Sequence, residues 1–161
     1  IGGRYIGLEL AQMFQRMGTK VTVLQRSDRI LLTEDTDLTT ALTGYLEDEG
    51  MSILTDVKLL HVSREDHFSI SFEKDGEEKS LESEQLVIAT GRRPNSSGLN
   101  LEKIGVEVNE DKTIVTNEYN QTTRPHIYAA GDVIGNPTFV YTAAYEGRLA
   151  VENGFGKNDK R

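Results

Sequence analysis

Apolar side chains at positions 6, 10, 13, 14 and 17 recur at helical spacing and Gly18 follows as a stop, which predicts a helix over residues 6–17. The β-branched run at 20–25 predicts a short strand. Leu38, Ala41, Leu42, Tyr45 and Leu46 share one helical face ended by Gly50, so a second helix is predicted over 35–49. Asp35 and Asp37 fall in its first turn, where negative charge suits the helix dipole. A second strand is predicted over 51–55. Residues 57–64, 68–72 and 78–81 then alternate apolar and polar positions. Glu65-Asp66-His67 and Lys74-Asp75-Gly76 separate them, and Asp-Gly suits a tight turn, so this stretch reads as an antiparallel meander. Residues 85–89 form a continuous apolar run, expected for a strand in a sheet covered on both faces. From Thr90 the chain turns rich in Gly, Pro, Asn and Ser, which places a domain boundary there. Short strands are predicted near 106–108, 113–116 and 126–130. A last helix is predicted from about 138 to 153, with Ala143, Ala144, Leu149 and Ala150 giving a small-residue face.

Composition narrows the function classes. The 161 residues carry 18 Lys and Arg against 26 Asp and Glu, a formal net charge of −8, so there is no cationic excess for a nucleic-acid backbone. The longest apolar runs, 21–24 and 86–89, fall far short of the roughly 20 residues that cross a bilayer. No signal peptide is readable. Cysteine is absent, which removes disulfides, thiolate metal sites and cysteine nucleophiles from these residues. His61, His67 and His126 lack metal-ligand spacing and read as structural or surface residues.

Chemistry enters at the first residues, Ile1-Gly2-Gly3-Arg4-Tyr5-Ile6-Gly7. A glycine-rich turn normally joins a strand to a helix. The expectation is a piece of a longer protein whose first strand is truncated; an odd start without meaning is the alternative. A turn feeding a helix, with a second strand about twenty residues on, is the geometry of a dinucleotide site. Gly2 and Gly7 fill the first and third glycine places, but Arg4 occupies the second. Its Cβ would crowd a diphosphate approaching the backbone, while its guanidinium could pair with one. An ordinary strand–helix turn remains the other reading. At the end of the second strand an acid would accept hydrogen bonds from two ribose hydroxyls. Here Gln25-Arg26-Ser27 stands instead, and Arg26 beside a serine suits a 2′-phosphate, pointing to NADPH over NADH. Arg26 as a solvated surface charge is the competing reading.

Residues 2–9 (Gly-Gly-Arg-Tyr-Ile-Gly-Leu-Glu), 87–95 (Val-Ile-Ala-Thr-Gly-Arg-Arg-Pro-Asn) and 127–132 (Ile-Tyr-Ala-Ala-Gly-Asp) together resemble the pyridine nucleotide–disulfide oxidoreductases. Within that family, 21–27 and 137–147 are most similar to the mercuric reductase branch; a dihydrolipoamide dehydrogenase would usually carry an acid near position 25. The resemblance implies an α/β fold: a Rossmann-like three-layer NAD(P)-binding domain over 1–90, with a parallel sheet plus an antiparallel β-meander. A partial FAD-binding domain segment would follow over 91–161. It further implies that Gly2, Gly3, Tyr5, Ile6 and Gly7 line the NADPH diphosphate, with Arg4 beside them. Glu9 would lie near the nicotinamide, or be a plain helix-face acid. Arg26 would take the 2′-phosphate, and Gly91 would let the nucleotide lie close to backbone at the domain crossing. Asp132 would bond the ribityl chain of FAD, or simply form a turn, and Thr142 and Ala143 would offer backbone N–H groups to the flavin edge. The implied activity of the full-length protein is hydride transfer from NADPH through FAD and a cysteine pair to Hg(II), giving Hg(0). A different disulfide substrate and a stand-alone nucleotide-binding module are the alternatives. A cytoplasmic, homodimeric full-length protein and an inactive isolated chain complete these expectations, since the redox cysteines and most of the dimer interface lie outside these residues.

Overall fold

The computed structural model describes residues 1–135 and 137–156. The chain divides into two compact units, Ile1–Gly91 and Arg92–Arg161.

In the first unit, helix α1 (Tyr5–Arg16) leads into strand β1 (Thr22–Leu24), helix α2 (Thr36–Asp48) and strand β2 (Ser52–Leu54). β1 and β2 pair in parallel, Val23 opposite Ile53. Alternation along β1 then builds the layers. Val23 joins Leu8 and Ala11 of α1 and Leu46 of α2 in one buried cluster. The next residue, Leu24, points the other way and packs with Val57, Ile70 and Phe72. Helices therefore cover one face of the small sheet. The other face is covered by a meander of β3 (Lys58–Arg64), β4 (Phe68–Lys74) and β5 (Glu77–Ser83), paired antiparallel in that order. The turn joining β4 to β5 is Asp75-Gly76, both at positive φ (57° and 77°), as the tight hairpin required. α1 and α2 are clamped at one end by Glu49. Its carboxylate accepts from Arg16 Nε at 2.8 Å and Gln12 Nε2 at 2.8 Å, and its backbone carbonyl accepts from Gln15 Nε2 at 3.0 Å.

Two predicted features differ. Residues 85–89 are extended but form no regular strand, and the expected cover on both faces is missing: Ile88 is 70% exposed. Among the described residues their backbone meets another chain segment at Ile1, whose amino group donates to Val87 O at 2.6 Å and whose carbonyl accepts from Ala89 N–H at 2.8 Å, while Gln85 O accepts from the nearby Ser83 hydroxyl at 2.9 Å. A single residue cannot propagate a ladder. In the second unit the strands predicted near 106–108, 113–116 and 126–130 reduce to the isolated bridges Val108–Ile114, Thr116–Thr122 and Gln121–Tyr128. Side chains take over backbone bonding there: Asp111 Oδ1 accepts from Thr113 N–H at 3.0 Å, and Asn117 Oδ1 from Tyr119 and Gln121 N–H. Leu101, Val106, Ile114 and Ala129 form that unit's core. A 3₁₀ turn (Gly131–Ile134) precedes helix α3 (Val140–Phe155), two residues later at each end than predicted. No helix among the described residues is long and apolar enough to cross a membrane.

Candidate functional site

The glycine turn is shaped by packing before any ligand is considered. Gly2 has φ 107°, and a Cβ there would overlap the Ala89 carbonyl oxygen. A Cβ on Gly7 would overlap the Gly2 carbonyl oxygen and touch Ala89 Cβ. Both positions let α1 approach the neighbouring backbone.

Donors in this turn fall into two sets. Gly2 N–H donates to Leu24 O at 2.9 Å, and Gly3 N–H donates to the side-chain Oε1 of Gln25 at 2.8 Å. Those two groups are spent. The first helical bond of α1 runs from Leu8 N–H to Arg4 O at 2.9 Å. The N–H groups of Arg4, Tyr5, Ile6 and Gly7 precede it without an acceptor among the described residues, at the positive end of a twelve-residue helix. Gly2 and Gly3 thus contribute shape, whereas the four residues from Arg4 contribute donors. Arg4 caps the helix in extended conformation (φ −99°), so its Cβ does not strain the turn.

A crevice of about 860 Å³ opens beside this helix end. Its wall includes Arg4, Gln25, Arg26, Ser27, Asp56 and Lys58. Three cations face one carboxylate in that set. Lys58 Nζ lies 3.2 Å from Glu73 Oε2, outside the wall. Arg26 is exposed and makes no hydrogen bond or ion pair among the described residues. The residues therefore suit an anionic ligand: Arg4 at the start of α1 and the guanidinium of Arg26, unpaired among the described residues, share this wall. Glu9 lies on the exposed face of α1 and is not on this wall. Gly91 has φ 127° and open space where a Cβ would stand, so glycine is required there by conformation, not crowding.

In the second unit, Asp132 is the second residue of the 3₁₀ turn and its Oδ2 accepts from Arg92 Nη1 at 2.8 Å. Gly131 N–H donates to Glu146 Oε2 of α3 at 2.7 Å, and Ala143 packs against the bare Cα of Gly131. α3 begins at Val140, so Ala143 N–H is already used, donating to Phe139 O at 3.0 Å. The N–H groups of Val140, Tyr141 and Thr142 come before that bond. Of the two residues expected to offer N–H groups here, Thr142, like Val140 and Tyr141, finds no backbone acceptor among the described residues, whereas Ala143 serves as a small packing residue. No cluster of metal-ligating side chains occurs among the described residues.

Gln25, Lys58, Arg92 and Glu146 were not singled out as site residues from sequence. A signal existed for Gln25, an amide closing an apolar strand next to Arg26. None existed for Lys58, which reaches the crevice because the preceding Val57 N–H bonds to Gln25 O at 3.0 Å and sets the start of β3 beside the end of β1.

Residues 1–147 match a family model described as pyridine nucleotide-disulphide oxidoreductase. The chain is 43% identical to a mercuric reductase of Staphylococcus aureus over 97% of its own length and 29% of that protein. It is 39% identical to a dihydrolipoyl dehydrogenase of Bacillus subtilis over 98% of its length and 34% of that protein. It superposes on the HOCl-induced flavoprotein disulfide reductase RclA of Escherichia coli, as its Cu(II) complex, with a TM-score of 0.87 and 31% identity over 99% of this chain and 36% of that one. The chain thus spans about a third or less of these relatives.

Proposed function

Because the chain belongs to the pyridine nucleotide-disulphide oxidoreductase family, whose members are NAD(P)H-dependent flavin oxidoreductases, we propose that its first unit holds NADPH and its second unit holds part of FAD. One observation carries this reading. Arg4, which opens the run of four N–H groups (Arg4 to Gly7) without an acceptor among the described residues, and Arg26, whose guanidinium is unpaired among those residues, line one crevice. The helix end would bind and orient the diphosphate, with the Arg4 guanidinium beside it. Arg26 and the Ser27 hydroxyl would take the 2′-phosphate, a dianion that needs donors where a ribose diol needs an acceptor. Arg92 Nη1 orients the Asp132 carboxylate, which would accept from ribityl hydroxyls. The α3 N-terminus at Thr142 would place partial positive charge toward the flavin edge. When bound, the two cofactors supply hydride transfer from nicotinamide to flavin.

In the full-length protein the electron pair would pass on to a cysteine pair and then to Hg(II), whose softness calls for thiolates. The chain holds no cysteine, so those steps belong to residues outside it, and the isolated chain should turn over no substrate. The neutral Gln25 at the end of β1 and the likeness to the Staphylococcus aureus mercuric reductase support mercury over lipoamide. The likeness to the Bacillus subtilis dihydrolipoyl dehydrogenase supports a disulfide substrate as the second reading. A homodimer in the cytoplasm, where reduced nicotinamide is generated, is the proposed setting. Thermal unfolding with added nucleotide tests the cofactor assignment, since a ligand that binds only the folded form raises its stability by mass action. NADPH should raise the melting temperature clearly more than equimolar NADH; equal shifts would overturn it.

A further inference from the structure

We propose that the outward face of α2 docks an amphipathic helix of another protein, one whose apolar stripe carries lysine or arginine at both ends. None of the residues of this face lines the nucleotide crevice.

α2 is rolled against its own sequence. Leu38, Ala41, Leu42, Tyr45 and Leu46 make one broad apolar arc, and the fold splits it. Leu46 is 2% exposed and Leu42 packs against the same cluster. Leu38 is 50% exposed, Tyr45 is 69% exposed, and Ala41 lies outside with them. A place on the buried side goes instead to Thr39, whose hydroxyl donates to Thr36 O at 3.0 Å. A helix free to turn about its axis would bury Leu38 or Tyr45 before a threonine. Glu49 fixes the roll by its bonds to Arg16, Gln12 and Gln15 of α1. Leu38, Ala41 and Tyr45, at i, i+3 and i+7, therefore form one exposed stripe. Gly44 lies beside Ala41, with nothing within 4 Å of where a Cβ would stand. These two small residues leave a saddle between the large ones, low enough for a second helix axis to come within about 8–10 Å.

Charge selects the partner. Residues 30–57 contain no Lys, Arg or His. Asp37 and Asp48 are exposed at the two ends of the stripe, on one line with Ala41 and Gly44 and about 16 Å apart along the axis. Asp37 accepts from the Leu38 N–H at 2.9 Å, and neither acid makes an ion pair among the described residues. Asp48 stands in the last turn, which holds no base, so its charge opposes the helix dipole. The exposed stripe and the misplaced acid are two local costs, and one ligand relieves both: an apolar stripe with a cation at each end. A second copy of α2 does not supply it. Packed antiparallel it sets Asp37 against Asp48, packed parallel it sets each acid against itself, and the chain as a whole carries −8. An anionic membrane surface is repelled by the same acids. A helix with apolar residues at i, i+3 or i+4 and i+7, and bases at both ends of that stripe, meets every requirement.

The probe is a synthetic peptide of about 18 residues, long enough to be helical, with leucines on one stripe and lysines at both ends. A control peptide carries glutamate in place of each lysine. Amide shifts of the labelled chain at residues 36–48 should move with the lysine peptide, with a dissociation constant of roughly 10–100 μM, and stay still with the glutamate peptide. Tyr45→Ala and Gly44→Gln change exposed positions and should melt no more than about 2 °C below the parent, yet each should weaken the lysine peptide about fivefold or more. Asp37→Asn with Asp48→Asn should weaken it at low salt and flatten its salt dependence. Unmoved shifts at 36–48, equal binding of the two peptides, or parental affinity in Tyr45→Ala or Gly44→Gln overturns the proposal. Shifts at 36–48 produced by anionic vesicles would assign the face to a membrane, and self-association that Tyr45→Ala abolishes would assign it to a second copy; either result also overturns it.

Discussion

Gly7 and Gly44 both lie in helices, yet replacing each with alanine should have opposite consequences. Gly44, in α2, has nothing within 4 Å of where a Cβ would stand. Alanine there removes the entropic penalty of a helical glycine, a gain of about 0.5–1 kcal/mol. Gly7 gains the same intrinsic preference, but its Cβ would overlap the Gly2 carbonyl oxygen and touch Ala89 Cβ. These are backbone and a short side chain, neither able to swing away. Relief requires α1 to lift from the turn, and overpacking of this kind costs roughly 1–3 kcal/mol before the propensity gain is subtracted. The two variants should therefore differ by about 1–3 kcal/mol in favour of Gly44→Ala. That corresponds to a melting difference of roughly 2–12 °C for a chain this size. Chemical denaturation with matched slopes checks the free energies. If Gly7→Ala proves as stable as Gly44→Ala, the close approach of α1 to the turn is wrong, and with it the placement of the free donors.

Two further outcomes follow from named pairs. Arg26→Ala should weaken NADPH roughly ten- to a hundredfold and leave NADH almost unchanged, with a shallower salt dependence of NADPH binding, readable by titration at two ionic strengths. The Glu49 carboxyl is held below its ordinary 4.5, chiefly by hydrogen bonds from Arg16, with burial opposing and Gln12 adding to the effect. A depressed folded-state pKa gives stability that is present above 4.5 and is lost as pH falls through the lower, folded value. Glu49→Gln should therefore melt lower than the parent at pH 7, with the gap closing in acid; a gap that widens on acidification would contradict the clamp between α1 and α2.

Much of the first unit could be read from periodicity. α1, α2 and the meander come from strong repeats and a two-residue Asp75-Gly76 turn, which act locally and need little from the rest of the chain. Residues 85–89 could not, because an apolar run becomes a strand only beside a partner, and Ile1 alone is too short to be one. The bridges of the second unit failed for a related reason: Asp111 and Asn117 satisfy backbone groups that a ladder would otherwise pair. At the site, the sequence pointed to the turn and to Arg26. It did not reveal which N–H groups remain free, since that depends on Gln25 reaching back 22 positions to Gly3 and on where α1 and α3 close their first bonds. Arg92 as the partner of Asp132, 40 positions away, was likewise invisible without the fold.

Amide chemical shifts of the labelled chain, followed during titration with NADPH and separately with inorganic pyrophosphate, test the central claim most directly. Arg4, Tyr5, Ile6 and Gly7 should move with both ligands, and the backbone amides at Arg26 and Ser27 with NADPH only. Perturbations that spare residues 4–7, or that pyrophosphate produces equally around Arg26, would contradict a helix end that holds the diphosphate while Arg26 reads the phosphorylated ribose.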